Sequence, residues 1–397
     1  MAGCSSSDGS DASAPPTTTG APAATSTTSA APAASAYDGD DFYAVPDPLP
    51  SGPHGTLIRY EPLEDQAFDD ATAYRIMYLS ESVQGEPIAV TGLASVPTTD
   101  APADGRPTVT IAHGTTGIAD ECAPSVDGTN GELSLVANAA SDEYLIAATD
   151  YEGLGTPGRH PYLVGESEGR STIDAALAAG ELPDADPGTK LGIAGYSQGG
   201  HGALWASQVA AEWAPDLEVV GTFSGAPASE IGVILNAAPQ VKGFGLMVIA
   251  GIHAAYPDAD LSEILTPEGI ELLDAVDEGC IGQVFAAANG AGDVDLFVPG
   301  SGQSEEWAEL GAEQDAGTEK TNDAPTLLIH SNTDETVPTF FIDQVEQRMC
   351  ANGQVVDRVD LPSGGHGTAA IPAYEQAMVW MADRFDPDAP PSPDTCS

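Results

Sequence analysis

Leu191-Gly192-Ile193-Ala194-Gly195-Tyr196-Ser197-Gln198-Gly199-Gly200-His201-Gly202-Ala203 is the stretch on which the fold turns. Residues 191–194 read as a short apolar strand, and an Ala-rich helical pattern runs over 202–213. Between them lies Gly-x-Ser-x-Gly. A serine held on a strained turn between a strand and a helix needs small residues on both sides, because the chain packs closely there. That setting makes Ser197 the candidate nucleophile. The N–H groups opening the helix, that of Gln198 first, can support negative charge beside it. The same pattern recurs as Gly165-Glu166-Ser167-Glu168-Gly169. With 44 glycines in the chain one accidental match is unsurprising. The two flanking glutamates would oppose both deprotonation of Ser167 and an oxyanion beside it. Ser167 is therefore expected in a loop or at a helix start.

Outward from this motif, runs 56–60, 73–79 and 88–96 read as antiparallel strands separated by turn residues. Apolar strands 108–112, 144–149, 191–194, 219–223 and 326–329 then alternate with helical stretches 171–179, 202–213 and 340–349. Near-continuous apolar strands between helices predict an α/β fold, with a mostly parallel central sheet and helices on both faces. The rhythm breaks between strands 219–223 and 326–329. Helical pieces 231–235, 261–265 and 269–276 and the apolar run 244–252 (FGLMVIAGI) stand there instead. They predict an inserted, mainly helical cap over 227–323, above the C-terminal edge of the sheet where open α/β sheets bind ligands. The core would then be 37–226 and 324–397.

A serine nucleophile needs a base, and the base needs an orienting acid. His366 lies in Leu361-Pro362-Ser363-Gly364-Gly365-His366-Gly367, a Gly-rich loop between a strand-like run (355–361) and the last helix. Asp334 follows strand 326–329, with Glu335 beside it as the rival acid. His54 and His253 lack such a setting, and His160, His201 and His330 read as structural or as supports behind the site residues. Backbone N–H donors must also face the developing oxyanion. His113-Gly114-Thr115-Thr116-Gly117 follows strand 108–112, so Thr115, or its neighbour Thr116, is the candidate partner of Gln198. Taken alone, that segment would be a tight glycine turn. Gly153-Leu154-Gly155-Thr156-Pro157-Gly158 fits a dinucleotide turn only superficially, since Pro157 and Pro161 stand where a helix should open. Asp184 and Asp186 recur in a proline-interrupted turn rather than a calcium loop. No His/Cys set has zinc spacing, so no metal site is predicted.

The chain has 397 residues, with 11 Lys and Arg against 61 Asp and Glu, for a net charge of −50. Such a surface excludes nucleic acid and is repelled by anionic membranes. The 42% hydrophobic content supports a large core, read as one domain with an insertion. No apolar run reaches the roughly 18 residues a spanning helix needs. Residues 1–36 predict a disordered tether of Ser, Thr, Ala, Pro and Gly. Its Met1-Ala2-Gly3-Cys4 start resembles the end of a bacterial lipoprotein signal, with Cys4 lipidated as the sole link to a membrane. The other cysteines, Cys122, Cys280, Cys350 and Cys396, are even in number in a chain that reads as exported. Three pairings are open. Joining Cys350 to Cys396 would pin the C-terminal tail, and Cys122 to Cys280 would then close a much longer loop. Buried free thiols are the alternative.

Taken together, the segments at 113–117, 150–155 and 195–200, Gly165 and Gly169 before a helix, Asp334 and His366 resemble the secretory lipases of the α/β-hydrolase superfamily over roughly 43–396. The resemblance implies an α/β-hydrolase fold, acyl-ester hydrolysis through an acyl-enzyme, a helical cap over an acyl pocket, two disulfides and no cofactor. It places the triad on Ser197, Asp334 and His366. The expected protein is a secreted or surface-tethered lipase or esterase with lipid or other ester substrates and no obligate protein partner. The acidity, the Cys4 start and the His113-Gly114 segment look bacterial. Two rivals remain open: a peptidase of the same fold, which would need a group to anchor a peptide terminus, and a tethered solute-binding lipoprotein. Four catalytic components in the right order argue against the second.

Overall fold

A computed structural model describes residues 34–68, 70–128, 131–140, 142–300, 302 and 304–396; Cys4 and most of the expected tether lie outside them. Ten strands form one sheet: β1 (Ser35–Ala36), β2 (Leu57–Phe68), β3 (Ala71–Glu81), β4 (Pro87–Pro97), β5 (Arg106–Ala112), β6 (Leu145–Thr149), β7 (Pro187–Tyr196), β8 (Glu218–Gly225), β9 (Thr326–Ser331) and β10 (Val356–Leu361). Their order is β1-β2-β3-β4-β6-β5-β7-β8-β9-β10. The pairs β2–β3, β3–β4 and β4–β6 are antiparallel. Every other pair, from β5–β6 to β9–β10, is parallel. Ser35 and Ala36, expected within the tether, instead pair with Arg59 and Tyr60 on the sheet's first edge. Backbone hydrogen bonding there outweighs a composition with little to bury.

Helices α1 (Gly131–Ala140), α2 (Gly165–Ala179) and α3 (Gln198–Trp213) follow β5, β6 and β7. Side chains of successive strand residues point to opposite faces, and the packing follows that period. Leu327 and Ile329 of β9 share a cluster with Leu133 and Val136 of α1 and with Tyr374 and Met378. Leu328, between them, packs on the other face with Leu204 of α3 and with Ile342 and Val345.

Among the described residues, five helices lie between β8 and β9: α4 (Ile231–Ala237), α5 (Lys242–Ala255), α6 (Pro267–Asp277), α7 (Ile281–Gly290) and α8 (Glu305–Glu313). The predicted 261–265 helix is only a 3-10 turn, Leu261–Glu263, closed by the Asp260 side chain on the Ser262 N–H. The apolar run 244–252 is the body of α5, whose Leu246, Met247, Ile249 and Ile252 are fully buried. They share a core with Ile118, Tyr162, Leu163 and Val164, so these helices are packed onto the loops above the sheet. The chain ends with α9 (Thr339–Ala351) and α10 (His366–Phe385), which contribute the Ile342–Val345 and Tyr374–Met378 contacts above.

Bonds join Cys122 to Cys280 and Cys350 to Cys396, with Cα separations of 5.4 and 5.3 Å. The second ties α9 to the C-terminal tail. The first ties the loop after β5 to the start of α7, beside an antiparallel bridge between Gly117 and Cys280. Among the described residues no helix is long and apolar enough to cross a membrane.

Candidate active site

Ser197 stands between β7 and α3 at φ 62°, ψ −120°, a left-handed conformation that an L-residue holds only when its surroundings enforce it. The enforcement is visible on both sides. A Cβ at Gly195 would run into the Gly199 carbonyl oxygen, and one at Gly199 into that of Ala112. The Ser197 N–H donates to the Gly225 carbonyl at 2.8 Å, pinning the turn to β8. The hydroxyl is thereby presented at the C-terminal edge of the sheet.

His366, the first residue of α10, places Nε2 2.8 Å from the Ser197 Oγ. Its Nδ1 lies 2.7 Å from Oδ2 of Asp334, which follows β9. The Asp334 side chain is fully buried. Burial would raise its pKa, but the His366 bond and the backbone N–H groups of Val337 and Thr336, both donating to Oδ1 at 2.8 Å, hold it below the ordinary carboxylate range. The loop carrying His366 is fastened to the strand end: Ser331 Oγ donates to the Gly364 carbonyl at 2.6 Å, and the Gly364 N–H donates to Thr333 Oγ1 at 2.9 Å. Tyr196 donates its hydroxyl to the His366 carbonyl at 2.8 Å, and burial together with the charges of Asp334 and Glu335 keeps that phenol protonated. Glu335 accepts from the His366 backbone N–H at 3.0 Å, away from the imidazole.

The 113–117 segment passes beside the elbow; a Cβ on Gly114 would sit 4.0 Å from the Ser197 Cβ. The Gly114 N–H is taken by the Glu132 carboxylate at 3.1 Å, and the Thr115 hydroxyl bonds to the Tyr162 hydroxyl at 2.8 Å. Thr116 turns toward α7, accepting from the Ile281 N–H at 2.8 Å. Gln198 is buried, with its side-chain amide 2.9 Å from Glu168 Oε1 and 3.0 Å from His160 Nε2. Ser167 lies in the first turn of α2, where its hydroxyl donates to Glu152 at 2.5 Å. It takes no part in this cluster. Glu132, Tyr162 and Glu168 were not singled out from the sequence as site residues. An acidic residue at a helix start was the only local signal for the two glutamates.

Beside Ser197 opens a cavity of about 320 Å³ lined by Tyr162, Leu163, Val233, Ile234, Val241, Phe244 and Val248, with Phe340 and Phe341 opposite. Val233, Val241 and Phe340 are 39%, 38% and 43% exposed, so its apolar lining reaches solvent. Among the described residues no His, Cys, Asp and Glu group is placed to hold a metal.

A strained serine, an imidazole and a buried carboxylate stand in one hydrogen-bonded line on a mostly parallel sheet of the α/β-hydrolase fold. Comparison with known proteins gives the family: the model for secretory lipase matches residues 125–392, and the chain belongs to that family of carboxylic ester hydrolases. It is 24% identical over 386 residues to "Lipase A" of Moesziomyces aphidis, covering 89% of this chain and 81% of that protein. It is 26% identical over 260 residues to "Probable inactive lipase MT1628" of Mycobacterium tuberculosis, covering 60% of this chain and 57% of that one. The X-ray structure of Candida antarctica lipase A superposes with a TM-score of 0.72 at 20% identity, covering 89% and 87% of the two chains, which shows the shared fold.

Proposed function

We propose that the chain is an exported serine esterase or lipase acting on acylglycerols or related lipid esters through Ser197, His366 and Asp334. The observation that carries this reading is the unbroken Ser197–His366–Asp334 line, with 2.8 and 2.7 Å links. As an ester carbonyl approaches, His366 Nε2 takes the Ser197 proton while Oγ attacks. Asp334 holds the Nδ1–H tautomer and stabilises the imidazolium. The tetrahedral oxyanion is met by the backbone N–H groups of Thr115 and Gln198, each contributing roughly 3 kcal/mol. His366 then protonates the leaving alcohol, and water repeats the sequence on the acyl-enzyme. The helices over 227–323 act as the cap, and the cavity beneath takes the acyl chain, as its apolar lining supports.

The secretory family and two disulfides support export, since such bonds persist in oxidising compartments. A lipid on Cys4 belongs to the same reading, and palmitate labelling that disappears in Cys4→Ala tests it. The test of the chemistry is a fluorophosphonate probe with peptide mapping. The expected adduct is on Ser197 and is absent from His366→Ala; an adduct elsewhere, or none, contradicts the assignment.

A further inference from the structure

Glu168 carries one of the Gly-x-Ser-x-Gly matches, is fully buried, and is not part of the Ser197–His366–Asp334 line. Its carboxylate nonetheless organises what lies immediately after the nucleophile. Oε1 accepts from the Gln198 amide at 2.9 Å and from the Leu163 N–H at 3.1 Å, where Leu163 holds φ 57° and lines the acyl cavity. Oε2 is hydrogen-bonded to His201 Nδ1 at 2.7 Å, and His201 is equally buried. The other His201 nitrogen faces the Gln314 carbonyl at 2.7 Å. Both ring nitrogens thus have a polar partner, which fixes the plane of the ring. The Gln198 amide has a second partner in His160 Nε2. Burial pushes His160 down to about 3, leaving a neutral ring whose Nδ1–H donates to the Glu152 carbonyl at 2.8 Å. With both amide hydrogens engaged, the Gln198 side chain is locked, and its backbone follows.

We infer that Glu168 is a positioning residue for ester hydrolysis: through Gln198 and His201 it holds the first turn of α3 so that the Gln198 backbone N–H stays aimed at the oxyanion while Ser197 remains in its strained conformation. The inference rests on the Ser197 reading above. Geometry matters here because an oxyanion donor displaced by about 1 Å costs roughly 10²-fold in rate, and a residue at positive φ relaxes when its neighbours let it. Substrate affinity does not depend on this donor, since the oxyanion forms only in the transition state.

The test compares Glu168→Ala and Glu168→Gln with the parent, using p-nitrophenyl butyrate kinetics normalised to sites titrated by a fluorophosphonate. In Glu168→Ala, kcat per titrated site should fall roughly 10²-fold, with KM within about 3-fold. Glu168→Gln keeps an acceptor toward Gln198 and Leu163 and can donate to a neutral His201. It should therefore recover to within about 10-fold of the parent. An unchanged kcat per site in Glu168→Ala, with activity tracking only the titratable fraction, overturns the inference. Should that variant fail to fold, Gln198→Met removes the anchored amide while leaving Glu168 and His201 paired. The same kcat-only loss is expected there, and an unchanged kcat overturns the inference equally. A parent that neither hydrolyses nor labels defeats the esterase reading itself, which keeps the two failures apart.

Discussion

Glu335 accepts a hydrogen bond from the His366 backbone N–H at 3.0 Å, while Asp334, the preceding residue, accepts from the His366 imidazole at 2.7 Å. Two adjacent carboxylates therefore hold opposite ends of one residue, and only Asp334 is aligned with the ring. Substitution should separate them. Asp334→Asn, which leaves the wrong imidazole tautomer, should lower kcat by about 10³- to 10⁴-fold. Glu335→Gln retains an acceptor for the N–H and should cost less than about 10-fold. Steady-state kinetics of the two variants checks this, and equal losses would mean the acid has been misassigned.

The apolar run 244–252 divides in the structure. Leu246, Met247, Ile249 and Ile252 are core, and a charge there should unfold the cap rather than tune specificity. Phe244 and Val248 face the cavity, with Val233 and Val241 from the neighbouring segments. Val241→Asp, at a 38% exposed position, should fold normally. It should weaken turnover of decanoate esters about 10-fold more than acetate esters, because each buried methylene contributes about 0.8 kcal/mol. A chain-length series measures the ratio; equal loss at all lengths would detach the cavity from the acyl chain.

The two disulfides close loops of very different length, 158 and 46 residues. In the chain-entropy account this is worth about 5 and about 4 kcal/mol. Chemical denaturation of Cys122→Ala/Cys280→Ala and Cys350→Ala/Cys396→Ala should rank the first as more destabilised. Activity should also fall more in the first, because Cys280 adjoins the loop that carries Thr115.

His54 donates to the buried Asp174 at 2.6 Å and stacks on Trp213, and the Asp174 bond holds its pKa above the ordinary histidine value. Asp174 is in turn raised by burial, which the bond from His54 partly offsets. A raised histidine stabilises the fold fully below its unfolded pKa near 6.5 and loses that contribution as pH climbs through the folded value. The melting temperature of the parent should thus exceed that of His54→Phe at pH 5.5 and approach it by pH 9. A gap that does not change with pH would contradict the pairing.

Much of this architecture could be read before folding. The glycines of 195–200 mark a close backbone approach, and the strand-to-helix setting separates Ser197 from Ser167. The apolar strands of the parallel half are legible because they are buried on both faces. Other parts were not legible, for physical reasons. Helix α1 carries its buried Leu133, Val136 and Ala137 within a short, Ala- and Asn-containing stretch whose pattern is too brief to stand out. Its Glu132 reaches the Gly114 N–H only through tertiary folding. The charge of Glu168 was weighed as a repulsion on Ser167; the structure turns it inward to three hydrogen-bond partners, two of which, Gln198 and His201, lie 30 and 33 positions away in sequence.

The most direct test of the central claim is hydrolysis of p-nitrophenyl esters from acetate to palmitate by the parent and by Ser197→Ala, with folding of both verified by circular dichroism. The account predicts turnover by the parent and a loss of at least about 10³-fold in the variant at every chain length. Activity that survives in Ser197→Ala, or a folded parent inactive on every ester, would contradict it.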